Sequence, residues 1–334
     1  MDFLSEKKIL VTGATGLIGS SLVNELVKAG ALVIAGSREK EKLIDIFKSN
    51  RSKNLTLRAF DVVEKVPEDI GEVDFIFHAA SPVSGKDIRR TPVDTINVNI
   101  TGVRNCFEYL KRQKEKGKDH ARMIIFSSAT VYGNARLDER IVYEDDTEFA
   151  DSLDSENAPY SESKRMMEVI SYAYGKQYAI DSVIARIGWV YGFSKNMPDT
   201  AFYEFIKKAA AGENIVLNHS GMGRRDNIYV ADVVKALILL ARSGKPSQAY
   251  NISSGGDMDN YKAIDEIAEY IAYSINKIRE NTHVQVIVPN SSRKREPGVI
   301  LCNDKIKELG WTVETKIQDG IQETIEQYIN KEII

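Results

Sequence analysis

The run Gly13-Ala14-Thr15-Gly16-Leu17-Ile18-Gly19 constrains this chain more than any other feature. Before it stands Lys8-Ile9-Leu10-Val11-Thr12, a short apolar stretch with the pattern of a buried strand. After it, residues 20–29 carry apolar side chains at helical spacing. A strand that turns on glycines straight into a helix points the helix N-terminus, with its unpaired N–H groups and positive dipole end, at the turn. Glycine permits the tight turn and lets backbone approach a phosphate closely. This context predicts a dinucleotide pyrophosphate site contacted by Gly13, Thr15, Gly16, Leu17, Ile18 and Gly19.

The alternation continues. Strands are predicted at 31–35, 55–60, 75–79, 123–127 and 182–187, with helices at 96–113 and 161–178. Right-handed crossovers make this an α/β protein with a doubly wound parallel sheet, the Rossmann fold. Beyond Gly192 the rhythm changes to helices at 201–211, 231–242, 261–279 and 316–328. We therefore expect a dinucleotide-binding domain at 1–190, with 224–255 returning to it. A smaller C-terminal α/β substrate-binding domain is expected from 191–223 and 256–334.

Other features narrow the possibilities. A net charge of −3 offers no basic footprint for nucleic acid. Cys106 and Cys302, with His78, His120, His219 and His283, fit no metal or redox spacing, so no metal site is expected. No stretch has the apolar length of a membrane span, and the N-terminus runs into a strand without a leader-like segment. A soluble cytoplasmic protein is the expectation. The acid-rich segment 138–156 reads as a solvated surface loop.

Two places carry chemistry. After the second strand, Gly36-Ser37-Arg38 lacks the acid that commonly holds an NAD ribose about 20 residues past the glycines. Ser37 and Arg38 suit a 2′-phosphate instead, which favours NADP(H) over NAD(H). Further on, Tyr160 and Lys164 are four apart and share a helix face. A nearby ammonium lowers a phenol whose ordinary pKa is about 10, making Tyr160 an acid/base candidate. Ser128 stands ready to polarise a substrate oxygen.

Taken with Asp61-Val62, His78-Ala79-Ala80-Ser81, Asn99, Ser127-Ser128-Ala129-Thr130-Val131-Tyr132-Gly133, Arg186 to Gly192, the Arg224-to-Asp232 run and Leu309-Gly310-Trp311, these residues carry a family likeness. Over nearly its whole length the chain resembles the extended short-chain dehydrogenase/reductase family, in particular its nucleotide-sugar epimerases, dehydratases and reductases. The resemblance implies a catalytic Ser128, Tyr160 and Lys164. It implies cofactor contacts at Ser37, Arg38, Asp61, Val62, Ala79, Ala80, Ser81, Asn99, Tyr160 and Lys164. It implies nucleotide-sugar contacts at Ser84, Thr130, Trp189, Arg225 and Arg295. Helices 96–113 and 161–178 resemble those that build homodimers in this family.

Two departures refine the expected reaction. Similar 4,6-dehydratases carry an Asp-Glu pair where Ala129-Thr130 stands, and similar UDP-glucuronate decarboxylases keep a glutamate at the Thr130 position. Neither residue here does acid–base work at ordinary pH. Trp189, in Trp189-Val190-Tyr191-Gly192, resembles an NADPH-dependent keto-sugar reductase, where many members have asparagine. The expectation is an NADP(H)-dependent 4-keto nucleotide-sugar reductase. A 4-epimerase with retained cofactor is second. A non-catalytic nucleotide-binding protein on the same fold is third, and Ser128, Tyr160 and Lys164 argue against it.

Overall fold

The computed structural model describes residues 2–137, 140–218, 220–279, 282–289 and 298–334. Its first half alternates strand and helix. It runs β1 (Lys8–Thr12), α1 (Leu17–Lys28), β2 (Leu32–Ser37), α2 (Lys40–Phe47), β3 (Leu55–Ala59), β4 (Phe75–His78), α3 (Gly85–Arg90), α4 (Pro92–Glu115) and β5 (Arg122–Ser128). A two-residue β6 (Ile141–Val142) precedes α5 (Ala158–Tyr178), β7 (Asp181–Ile187) and β8 (Trp189–Tyr191). Then come α6 (Ala201–Ala210), β9 (Ile215–Val216), β10 (Arg224–Tyr229), α7 (Val230–Ser243) and β11 (Ala249–Ile252). The chain finishes with β12 (Tyr261–Ala263), α8 (Ile264–Ile278), β13 (Val286–Ile287), β14 (Ile300–Leu301), α9 (Asp304–Lys307) and α10 (Ile317–Asn330).

Seven strands form one parallel sheet in the order β11-β7-β5-β4-β1-β2-β3. Strand order reverses between β1 and β4, where a doubly wound sheet opens its ligand crevice. Both faces are covered, which explains why β1, β4 and β5 read as continuous apolar runs. On one face Val11, Phe77 and Ile124 pack with α1 and α7 through Leu22, Leu26, Val233 and Leu237. On the other, Leu10, Ile76 and Ile125 pack with α4 and α5 through Phe107, Leu110 and Met167.

A second core gathers α6, α8 and α10 around Tyr203, Ile206, Ile271, Ile275, Ile321 and Tyr328. Leu17 and Ile18, at the start of α1, pack against it, so the glycine turn touches both cores. β10 ties the later chain together, pairing parallel with β8 and antiparallel with β12. Ile306 and Trp311 belong to the sheet's core, and the Trp311 indole N–H donates to the Asp232 carbonyl. Among the described residues, no helix is long and apolar enough to cross a membrane.

Three local readings change. The helix expected at 261–279 begins only at Ile264, because Tyr261–Ala263 pairs with Arg224–Asp226 and the Glu266 carboxylate accepts the Ala263 N–H at 2.8 Å. α1 starts at Leu17 with Gly16 as its N-cap, three residues before the expected start. The acid-rich segment is not simply solvated. Asp151 is buried and accepts the Ser161 hydroxyl at 2.6 Å, and the Glu144 carboxylate accepts the Asn251 N–H at 2.8 Å.

Candidate active site

The glycine turn lies at the C-terminal end of β1, beside the end of β4. Gly13 has φ +66°, and a Cβ there would stand 2.7 Å from the Ala79–Ala80 backbone. A Cβ on Gly19 would run into the Gly13 carbonyl. These two glycines let β1, α1 and the β4 end close on one another. Gly16 caps α1 with no side-chain bond, and no acid lies in the first turn. The helix N-terminus therefore keeps its positive end open to an anion, and the residues present fit a dinucleotide pyrophosphate.

The expected cofactor residues fall at the ends of β2, β3 and β4 and on α4. The Thr15 and Ser37 hydroxyls are 3.1 Å apart, joining the turn to the end of β2. Arg38 is exposed beside them. Asp61 caps its own turn by accepting the Val63 N–H at 2.9 Å, and Val62 is buried next to Gly102. Ala79, Ala80 and Ser81 leave the end of β4 half-buried. Asn99 is fully buried. It accepts the Ser81 hydroxyl and donates to Ser163 Oγ, both at 2.8 Å. Ser163 in turn bonds the carbonyls of Pro159 and Tyr160, so Asn99 braces the first turn of α5.

The end of β5 meets the start of α5 here. Proline in the first turn of α5 is compatible with helix initiation, and the helix places Tyr160 and Lys164 on one face. The half-buried Tyr160 phenol lies near the Ser128 and Ser81 hydroxyls. Burial pushes that phenol up, and the two hydroxyls pull it partly back. Lys164 is buried, its ammonium donates to the Phe126 carbonyl at 2.7 Å, and Nζ is 5.6 Å from the Tyr160 ring centre. Burial brings this ammonium down to about 7, with Glu168 opposing. The net shift of Tyr160 is therefore upward, against the lowering expected from Lys164, whose ammonium bonds the Phe126 carbonyl.

The expected substrate residues Ser84, Thr130, Trp189 and Arg225 are each half-buried. Ser84 caps α3, its hydroxyl accepting the Asp87 N–H at 3.3 Å. The Thr130 N–H donates to Ser128 Oγ at 3.2 Å, and Thr130 Oγ1 is enclosed without a partner among the described residues. Trp189 packs against the small cluster of Ala129, Val131, Val142 and Leu301. The Arg225 guanidinium stands 5.3 Å from the Trp189 ring centre and donates to the Arg224 carbonyl at 2.9 Å. Arg295 lies outside the described residues.

Sequence reasoning passed over the charges behind this site. Glu168 is one turn beyond Lys164 and buried, accepting from Ser127 Oγ at 2.5 Å and from Arg186 Nη2 at 2.8 Å. The signal available was its four-residue spacing from Lys164. His78 is also buried, 2.9 Å from Thr12 Oγ1, and burial with the Lys164 charge keeps it neutral, down to about 3.

A seven-stranded parallel sheet, a glycine cradle at its crevice, and a serine–tyrosine–lysine cluster beside it define a nucleotide-dependent oxidoreductase fold. Residues 9–253 match the model of the NAD dependent epimerase/dehydratase family, and the chain belongs to it. It is 30% identical to UDP-glucuronic acid decarboxylase 1 of Danio rerio over 349 residues, covering 100% of this chain and 76% of that one. Among solved structures it is similar to UDP-N-acetylglucosamine 4-epimerase from Methanobrevibacter ruminantium M1 in complex with UDP-N-acetylmuramic acid. There the TM-score is 0.80 and the identity 23%, covering 98% of this chain and 99% of that one. It is also similar to dTDP-glucose 4,6-dehydratase from Bacillus anthracis in complex with NAD, with TM-score 0.78 and 22% identity, covering 98% of each chain. Both likenesses are of fold.

Proposed function

We propose that this chain performs oxidoreduction at C4 of a nucleotide-linked sugar without removing water or carbon dioxide, in the form of an NADP(H)-dependent reduction of a 4-keto sugar. The observation that carries this reading is Tyr160 and Lys164 on one face of α5 at the end of β5, with the Ser128 hydroxyl near the phenol and Ala129 and Thr130 in place of carboxylates. A bound nicotinamide dinucleotide supplies the hydride. Tyr160 supplies the proton to the C4 oxygen, and its burial, which keeps the phenol protonated, suits that direction. Ser128 donates a hydrogen bond to the same oxygen. Gly13 to Gly19, Asp61, Val62 and Ala79 to Ser81 hold the dinucleotide, with Ser37 and Arg38 at its 2′-phosphate. Ser84, Thr130, Trp189 and Arg225 face the sugar nucleotide, with Arg225 as the cation for its diphosphate.

The second reading is a 4-epimerase that keeps its cofactor and runs the same step in both directions. Membership of an NAD-dependent family that includes epimerases favours it. We further propose a homodimer through α4 and α5, working in the cytoplasm. The free cysteines Cys106 and Cys302 suit a reducing compartment.

The test is Tyr160→Phe, assayed with a panel of nucleotide sugars and 4-keto sugars. Removing the phenol oxygen lowers turnover by roughly 10²–10⁴, while dinucleotide binding stays near that of the unaltered protein. Turnover close to normal would remove Tyr160 from the chemistry and reopen the non-catalytic reading.

A further inference from the structure

The last three residues of β5 face three successive turns of α5. The Phe126 carbonyl takes the Lys164 ammonium, the Ser127 hydroxyl donates to Glu168, and the Ser128 hydroxyl lies near the Tyr160 phenol. Tyr160, Lys164 and Glu168 stand four residues apart, a single stripe along the helix. Behind it, Arg186 on β7 grips Glu168 through Nε at 3.0 Å and Nη2 at 2.8 Å, and its Nη1 donates to the Tyr132 phenol at 2.9 Å. The side chains of Arg186 and Glu168 are only 11% and 10% exposed, so this charge pair acts in a medium that screens little.

We propose that Glu168 is a positioning residue: its carboxylate, fixed by Ser127 and Arg186, keeps the buried Lys164 ammonium charged and directed at the end of β5, where Tyr160 and Ser128 meet. The inference rests on the catalytic reading of Tyr160 and Lys164.

A buried ammonium beside apolar core sheds its proton unless a negative charge is near. Among the described residues, the titratable and charged groups around Lys164 are few. Tyr160 and Glu168 share its helix, His78 ends β4, and Cys106 on α4 touches His78 at 3.5 Å. Tyr132 follows β5, and Arg186 lies on β7. His78 is held neutral, and burial pushes the Cys106 thiol and the Tyr132 phenol up to about 12, so neither is an anion near neutrality. Glu168 is therefore the negative charge in this set, and its attraction opposes the burial that lowers Lys164. Arg186 offsets part of this field, while the Ser127 hydroxyl holds the carboxylate from the β5 side.

The experiment follows Lys164 itself in the full chain, by NMR of the lysine ε-carbon labelled with carbon-13, with the signal assigned through Lys164→Met. Glu168→Gln keeps the shape and removes the charge. The Lys164 titration then falls by about one pH unit or more, a tenfold loss of ammonium at a fixed pH above it. The pH at which turnover declines on the alkaline side falls with it. Arg186→Gln moves the same titration upward, because the offsetting cation is gone. A purely structural ion pair gives neither shift, only lower melting temperatures in both variants. If Glu168→Gln does not fold, an unchanged or lowered titration in Arg186→Gln overturns the proposal, as does an unchanged titration in Glu168→Gln. The underlying reading fails separately, through Tyr160→Phe: lost turnover there with an unmoved Lys164 in Glu168→Gln rejects the role of Glu168 alone.

Discussion

Arg38 is the residue on which the proposed preference for NADP(H) rests. It is exposed at the end of β2, next to the Thr15–Ser37 hydroxyl pair, and no acid stands at Ser37 to take a ribose diol. In the proposed reading this guanidinium recognises a 2′-phosphate through charge-assisted bonds. Titration calorimetry should find NADP(H) bound more tightly than NAD(H), with the preference lost in Arg38→Ala. Tighter NAD(H) binding by the unaltered protein would shift the account to the epimerase reading. At this scale the sequence was legible where a residue's spacing to its neighbours carries the meaning. Tyr160 and Lys164 share a helix face by simple periodicity, and the structure brings them to the end of β5 with Ser128. Glu168 was not legible, because a glutamate on a helix reads as a solvated charge until burial shows otherwise. Asp151 and Glu144 were hidden in the same way within an acid-rich stretch, and only tertiary contacts reveal their partners.

Elements with their own apolar signature were the readable ones. β1, β4 and β5 are apolar on both faces because helices cover both sides of the sheet, and each was found within a residue or two. β11 passed unread because Asn251 interrupts it. That side chain is fully buried between the Tyr132 phenol and the Cys302 carbonyl, a satisfaction no local pattern announces. Tyr261–Ala263 was absorbed into the helix that follows, since three residues of strand carry no period of their own. The glycine turn is the junction of three elements, and Gly13→Ala tests it. An alanine at φ +66° is strained, and its Cβ meets the Ala79–Ala80 backbone. A strained left-handed residue costs about 1–3 kcal/mol, so the melting temperature should fall. Dinucleotide affinity should drop at least about tenfold, since a shift of 1.4 kcal/mol suffices for that. Unchanged affinity in a folded variant would show that the turn does not carry the pyrophosphate.

The whole molecule has two cores, and the start of α1 packs on both. Its outer surface carries Val93 and Ile96 on α4 and Met166, Val169 and Tyr172 on α5, all exposed. Burying such a patch against a second copy is favourable. Light scattering should report a dimer, with Tyr172→Glu shifting it towards monomer. A monomeric unaltered protein would refute the assembly. The most direct test of the central claim is mass spectrometry of the products formed from nucleotide sugars and their 4-keto derivatives, with NADP(H) and with NAD(H). The account predicts a product that has gained two hydrogens with NADPH, or, in the epimerase reading, one of unchanged mass. A product that has lost water or carbon dioxide at a useful rate would contradict it, because Ala129 and Thr130 leave no acid–base pair for either reaction.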